Sequence, residues 1–270
     1  MLGAAFARAG HVVQACTAVS ELSRLRAESL LPGVPILPVH EAVVGADLVL
    51  LAVPDDVIDG LAAGLAATRS IPPGTFVAHT SGRHGLESLQ PLADAGCLPL
   101  AIHPVMTFTG TSADLGRLAD CPFGVTAPDA LRPVVEALVL ELGGEPVWVG
   151  QEHRSLYHAG LALAANSVTT LVNESVTLLE SAGIDDPARL IGALLTATVD
   201  NALRMGDQAL TGPISRGDVG TVSSHIAVLS EVSPRTVPVY VELGRLTAAR
   251  AFESGTISSD VLSQLLEVLR

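Results

Sequence analysis

The stretch Ala46-Asp-Leu-Val-Leu-Leu-Ala-Val-Pro-Asp-Asp-Val-Ile58 is a continuous apolar run that stops abruptly at Pro54 and two acids. A strand buried on both faces of a parallel sheet reads this way, because helices cover both sides and its carboxyl end opens onto a ligand crevice. Upstream, Leu2-Gly-Ala-Ala-Phe-Ala-Arg-Ala-Gly-His-Val-Val13 reads as a helix of small residues, closed by Gly10 and followed by a strand. Together the two segments have the pattern of an α/β dinucleotide-binding unit. In such a unit a G-x-G-x-x-G turn lies a few residues before the first apolar position of that helix, here Leu2. The first strand and the glycine-rich turn are therefore expected upstream of Met1, with Met1 an internal start in a mis-started gene model.

Outward from these segments, residues 1–150 alternate short β-branched runs with helical ones, the α/β signature. Strands are expected at 11–17, 34–37, 47–53, 75–79, 97–102, 123–127 and 146–149, and helices at 21–30, 57–67, 86–95 and 130–142. The fold class this implies is a Rossmann-like, doubly wound parallel sheet lacking its first strand. Beyond Gly150 the strand pattern ends. Segments 152–182, 187–205, 218–229, 234–252 and 259–269 read as helices, so residues 151–270 form an all-helical second domain. Pro187 and Pro234 occupy first-turn positions after Asp186 and Ser233, both able to cap. The first of these helices, at 1.5 Å per residue, would span roughly 45 Å. Such a helix packs against a partner subunit, giving a homodimer, or lies wrapped by its own neighbours.

Composition narrows the function. The chain has 270 residues, 28 acids against 15 bases and a net charge of −13. Nucleic acid and anionic membranes are poor partners for it, because phosphate-rich surfaces need clustered positive charge. All the bases are Arg, which removes Schiff-base chemistry and a phosphate-loop lysine. Cys16, Cys97 and Cys121 are odd in number and set in apolar surroundings, as expected of reduced thiols in a cytoplasmic protein. No uncharged run reaches the roughly 18 residues of a membrane span.

The candidate chemistry gathers at strand ends. His79-Thr-Ser-Gly82 and His103-Pro-Val-Met-Thr-Phe-Thr-Gly110 follow two strands whose carboxyl ends face the crevice. Thr80 and Ser81 either meet a ligand or cap the next helix. His79 is read as a satisfied strand-end residue, and His103, stopped by Pro104, as a rim residue. His158 and Asn166 lie eight residues apart on the long helix, within roughly 80° of one face. Asn166 stands in an apolar run and, if buried, needs a partner, either a ligand or a neighbouring carbonyl. The loop Leu210-Thr-Gly-Pro-Ile-Ser-Arg-Gly-Asp218 is expected to present backbone N–H groups and Arg216 to a carboxylate. His153 and His158 are five apart, outside the spacing of a zinc pair, so no metal is expected. Asp55 and Asp56 are read as capping the helix after Pro54.

For a cofactor, Val53, Pro54 and Thr80 end the crevice-facing strands. Ser20, Arg24 and Arg26 follow the second expected strand, where an Arg accommodates the 2′-phosphate of NADP. This favours NADP, with Glu21 the dissenting acid.

Leu51-Ala-Val-Pro-Asp-Asp56, His79-Thr-Ser-Gly82, His103-Pro-Val-Met-Thr-Phe108, the Tyr157-His158 to Asn166 segment and Leu210 to Asp218 resemble the landmarks of bacterial Rossmann-like and DUF2520 proteins. These belong to the 6-phosphogluconate-dehydrogenase-like superfamily, whose relatives include pyrroline-5-carboxylate reductase, ketopantoate reductase and prephenate dehydrogenase. The resemblance runs from Leu2 through essentially the whole chain. It implies an NADP(H)-dependent oxidoreductase tied to pantothenate synthesis, acting on a small carbonyl or imine acid such as 2-dehydropantoate (ketopantoate). His103 would move the proton with His158 as substitute, Asn166 and Ser81 would orient the acceptor, and Arg216 would bind its carboxylate. Ketopantoate reductases use a Lys four residues before this Asn, where this chain has Ala162. His103-Pro104 resembles the His-Pro of prephenate dehydrogenases. The rival expectation is a noncatalytic nucleotide-responsive binding protein.

Overall fold

Alternation along the quoted stretch sends Val49 and Leu51 to one side of a strand and Leu48 and Leu50 to the other, and each pair joins a different core cluster. The computed structural model describes residues 1–270 and divides into two units, Met1–Asn166 and Ser167–Arg270. The first unit holds helices α1 (Leu2–Arg8), α2 (Glu21–Leu30), α3 (Val39–Ala42), α4 (Asp55–Ala67), α5 (Gln90–Asp94), α6 (Ala113–Arg117), α7 (Arg132–Glu141) and α8 (Arg154–Ala162). Its strands are β1 (Leu48–Leu51), β2 (Phe76–His79), β3 (Leu98–Pro104), β4 (Pro122–Thr126) and β5 (Glu145–Trp148). They form one sheet in the order β1-β2-β3-β4-β5, parallel except that β3 and β4 run antiparallel. Val49, Leu51 and Val77 pack with Ile58, Leu65, Leu89 and Leu92 on one face. Ala78, Leu100, Ile102, Phe123 and Val125 pack with Leu2, Phe6, Val135 and Val139 on the other. The sheet is covered on both sides, and the apolar runs of its strands follow from that.

Two sequence expectations change here. Residues 11–17 and 34–37 are not strands but meet in a single parallel bridge, Cys16 to Ile36, and Val12 and Val19 are each 86% exposed. A lone parallel pair with no neighbour to extend its ladder does not persist as sheet. The expected all-parallel sheet likewise carries one antiparallel pairing, β3 with β4, reached through the connection over residues 105–121 that holds α6.

The second unit holds α9 (Val168–Ser181), α10 (Pro187–Met205), α11 (Val219–Val232), α12 (Val237–Glu253) and α13 (Ser259–Val268). Its core of Val222, Val241, Ala248, Ala251, Ile257, Leu265 and Leu269 belongs to the last three helices and their connections. Gly244 lets α12 meet the end of the chain, for a Cβ there would stand 2.8 Å from Leu269 Cδ2. Asp186 caps α10 by accepting from Arg189 N–H, with Pro187 at the first turn, as the sequence anticipates. No helix is long and apolar enough to cross a membrane.

The single long helix expected over 152–182 is broken. After α8 the chain makes a π-helical turn, Leu163–Ser167, before α9 begins. The division between units falls at this turn rather than at Gly150, because α8 is anchored to the sheet through Arg154 and Tyr157.

Candidate active site

The site is assembled on β3 and its antiparallel neighbour. His103, at the end of β3, is paired directly with Gly124 of β4, so the two residues project from the same face. Gly124 has no side chain, and its vacant Cβ position is filled by the hydroxyl of Tyr157 from α8. That hydroxyl shares a 2.8 Å hydrogen bond with His103 Nδ1. The other ring nitrogen, Nε2, lies beside Gly82, where a Cβ would stand 2.9 Å from it and 2.6 Å from His158 Cδ2. His158 meets the His103 ring edge to face, with centroids 6.0 Å apart. A pocket of small main-chain residues thus frames an imidazole on both sides.

Arg154, the first residue of α8, is fully buried and ties three segments together. Its guanidinium donates to Ser81 O at 2.6 Å, Thr126 Oγ1 at 3.0 Å and Gly124 O at 3.4 Å. Thr126 in turn donates to Val149 O. The loop after β2, the strand β4 and the helix α8 are held in one frame by this cation. Its Nε has no hydrogen-bond partner. Sequence reading missed both Arg154 and Tyr157 as site residues, since each looks like an ordinary helix residue until β4 is placed beside it.

Burial and the Arg154 charge govern the electrostatics. Desolvation first, then Arg154 and His158, push the His103 pKa down to about 4, so the ring is neutral at neutral pH. His79 is buried and pushed down to about 4 by desolvation, against the opposing hydrogen bond of its Nε2 with Gly85 O at 2.8 Å. Burial raises the Tyr157 hydroxyl above its usual range, with Arg154 pulling the other way.

A crevice of about 320 Å3 opens at these strand ends, with Leu50, Ala52, Thr80, His103, Met106 and Phe108 in its walls. Of the expected site residues, the structure brings Thr80 and His103 to it and places His158 against His103. Val53 packs into the core beside β1, and Pro54 starts α4 as its N-cap. Ser81 is different. Its hydroxyl is buried and accepts from Arg83 N–H and His84 N–H, closing its own turn rather than meeting a ligand. Asp55 and Asp56 sit in the first turn of α4 without capping it, and Asp55 lies 3.8 Å from Arg83.

Asn166 is exposed rather than buried, because it lies in the π-helical turn and not on a continuous helix face. Ser20 is the N-cap of α2, accepting from Ser23 N–H, and Arg24 is exposed on that helix. Arg26 lies against Gly110, whose Cβ would come within 2.7 Å of its Nε, two residues beyond Phe108 of the crevice wall. In the second unit, the loop over 210–218 closes on itself at its C-terminal end. Arg216 N–H donates to Gly212 O, Gly217 N–H to Ile214 O and Asp218 N–H to Pro213 O, while the Arg216 side chain is exposed.

Thr80, His103 and the apolar walls fit a flat, mostly apolar ring carrying one amide, the nicotinamide end of a dinucleotide. Gly82 fits closely against both rings, since a Cβ there would clash with His103 Nε2 and His158 Cδ2. The crevice volume fits that end and not a whole dinucleotide.

Residues 1–104 match the model of a Rossmann-like domain, and residues 121–247 match that of a domain of unknown function, DUF2520. No curated protein matches the sequence. Among solved structures, the chain is similar to the "putative NADP oxidoreductase BF3122" of Bacteroides fragilis, with TM-score 0.76, 19% identity and coverage of 92% of this chain and 93% of that one. It is also similar to an imine reductase from Myxococcus stipitatus in complex with NADP+, with TM-score 0.63, 17% identity and coverage of 98% and 95%. Protein TM1727 of Thermotoga maritima matches with TM-score 0.62, 24% identity and coverage of 76% and 78%. At these identities the likeness is one of fold.

Proposed function

We propose that this chain, which belongs to the family joining a Rossmann-like domain to a DUF2520 domain, is an oxidoreductase that uses NADP(H) to reduce the carbonyl or imine carbon of a small carboxylic acid. Ketopantoate is the first substrate to try. The observation that carries this reading is His103, a neutral imidazole fixed by Tyr157 at the mouth of an apolar crevice at the sheet's strand ends. NADP is supported by the names of two structural neighbours and by Arg24 and Arg26 on α2. A bound nicotinamide would supply hydride to the acceptor carbon. Thr80 would border its ring, and Ser20 and Arg24 the adenosine ribose.

His103 delivers the proton that the reduced oxygen or nitrogen needs, because an imidazole N–H beside a small main-chain residue can reach an acceptor atom. His158 supports the ring and is the next proton donor in reach. Asn166 orients the acceptor through its amide, and Arg216 holds the carboxylate. Ser81 shapes the loop rather than touching substrate.

The helical unit is proposed to associate with a second copy. α10 has 19 residues, of which Pro187 is buried; Leu190 and Leu194 share one face, 57% and 65% exposed, and Leu203, 84% exposed, lies on the opposite one. Exposed apolar side chains on both faces of one helix are costly to leave in water and fit an interface.

NADPH oxidation against a panel of 2-oxo acids and cyclic imine acids tests the activity. Turnover with at least one acid is expected, together with a larger rise in Tm from NADPH than from NADH. Arg216→Ala should raise KM, by the equivalent of about 1.5–3 kcal/mol for a charge-assisted hydrogen bond. An absence of turnover across the panel, joined to no Tm response to either dinucleotide, would overturn the reading.

A further inference from the structure

Arg154 by itself ties α8 to the sheet and its loop with three bonds. Yet the sheet gives up a side chain at Gly124 to admit the Tyr157 hydroxyl, directly across the ladder from His103. Building on the reductase reading above, we propose that Tyr157 is a proton-relay residue. Its hydroxyl donates to His103 Nδ1, holds the ring as the Nε2–H tautomer, and passes its proton into the ring when Nε2–H is given to the substrate.

The direction of the bond follows from acid and base strength. A phenol is the better donor and an imidazole nitrogen the better acceptor, so O–H to Nδ1 is the favoured pairing. Tautomer then follows, because a neutral imidazole carries one N–H and Nδ1 is occupied as acceptor. The atoms balance. A bound nicotinamide would supply the hydride and the two electrons that reduce the acceptor carbon. The substrate oxygen or nitrogen gains the proton of Nε2–H, and the Tyr157 O–H bond breaks as Nδ1–H forms, leaving a neutral ring and a tyrosinate. The pair resets when Nδ1–H returns its proton to the tyrosinate as Nε2 takes one from water.

Two features make the relay workable. At rest the imidazole holds no second proton, as desolvation, Arg154 and His158 keep its pKa near 4 against the opposing charge of Asp55, with His79 adding to the lowering. A donor at neutral pH must therefore be refilled at Nδ1. The transient tyrosinate is stabilised by the Arg154 guanidinium, 5.8 Å from the ring centre and fully buried. At rest burial outweighs that cation, with Cys121 also raising the Tyr157 pKa and the backbone at Gly124 lowering it, so the hydroxyl stays protonated as a reserve.

Nitrogen-15 NMR of the imidazole rings in the intact chain tests this, with His103→Asn assigning the signals. At neutral pH the wild type should show His103 protonated at Nε2 and bare at Nδ1. Tyr157→Phe keeps the ring and removes the hydroxyl, and should mix the two tautomers. With an acceptor in hand, it should also lower kcat about a hundredfold at unchanged KM, the scale of a lost acid–base contribution. A wild-type ring protonated at Nδ1 overturns the relay, whether or not the Phe variant folds or the chain turns over. Unchanged tautomer and kcat in a folded Tyr157→Phe variant overturn it as well. The expected tautomer and its response to Tyr157→Phe, found in a chain that oxidises no NADPH with any acceptor, uphold the hydrogen-bond arrangement and sink the reductase reading instead.

Discussion

His79 and His103 stand on neighbouring strands, both neutral and both with pKa values near 4, while an unfolded chain returns them to about 6.5. Between those values the unfolded chain binds more protons than the folded one. Stability is therefore complete above pH 6.5 and declines as pH falls toward 4. For buried His79 the full loss is about 3 kcal/mol. Chemical denaturation at stepped pH should show this decline, and His79→Gln, which keeps a donor for Gly85 O, should make it shallower. An unchanged slope would mean that His79 already titrates normally in the folded chain. Sequence reading found His79 and His103 from their place at the ends of apolar runs. It could not find Arg154, whose value comes from Ser81, Gly124 and Thr126, residues 28 to 73 positions away. Nor could it see that Ser81 closes a turn, since a serine hydroxyl bonds whichever partner the backbone puts in reach.

At the scale of elements, β4 and α8 fit each other at one residue. A Cβ on Gly124 would occupy the place of the Tyr157 hydroxyl, so Gly124→Ala should force α8 outward and break the bond to His103. A loss of about 1–3 kcal/mol is expected from the overpacking, with the His103 signals in the NMR spectrum shifted toward those of Tyr157→Phe. A stable variant with the wild-type His103 spectrum would show that the hydroxyl has another resting place. Neither the pairing of His103 with Gly124 nor the reversal of β4 is legible in the chain order, because strand direction in a sheet is decided by the connection that precedes it. The π-helical turn at Leu163–Ser167 is equally hidden. Leu163, Ala164 and Ala165 are good helix formers, and one extra residue in a turn leaves the apolar pattern almost unaltered.

For the whole molecule, an acidic chain carrying a net charge of −13 repels copies of itself, yet α10 exposes leucines on both its faces. Sedimentation should therefore find a dimer. Leu194→Glu combined with Leu203→Glu should yield monomers with an intact fold, while a wild-type monomer at all concentrations would end the proposal. The sequence by itself determined the α/β order of the first unit, the helical second unit and the strand ends where chemistry gathers, because burial writes its period and its abrupt stops directly into apolar residues. Tertiary structure alone decided the failure of residues 11–17 and 34–37 to become sheet, the antiparallel turn of β4, and the frame of Arg154, Tyr157 and Gly124 around His103. Those depend on which residues meet across long stretches of chain. Local pattern carries no record of a partner that only folding brings near.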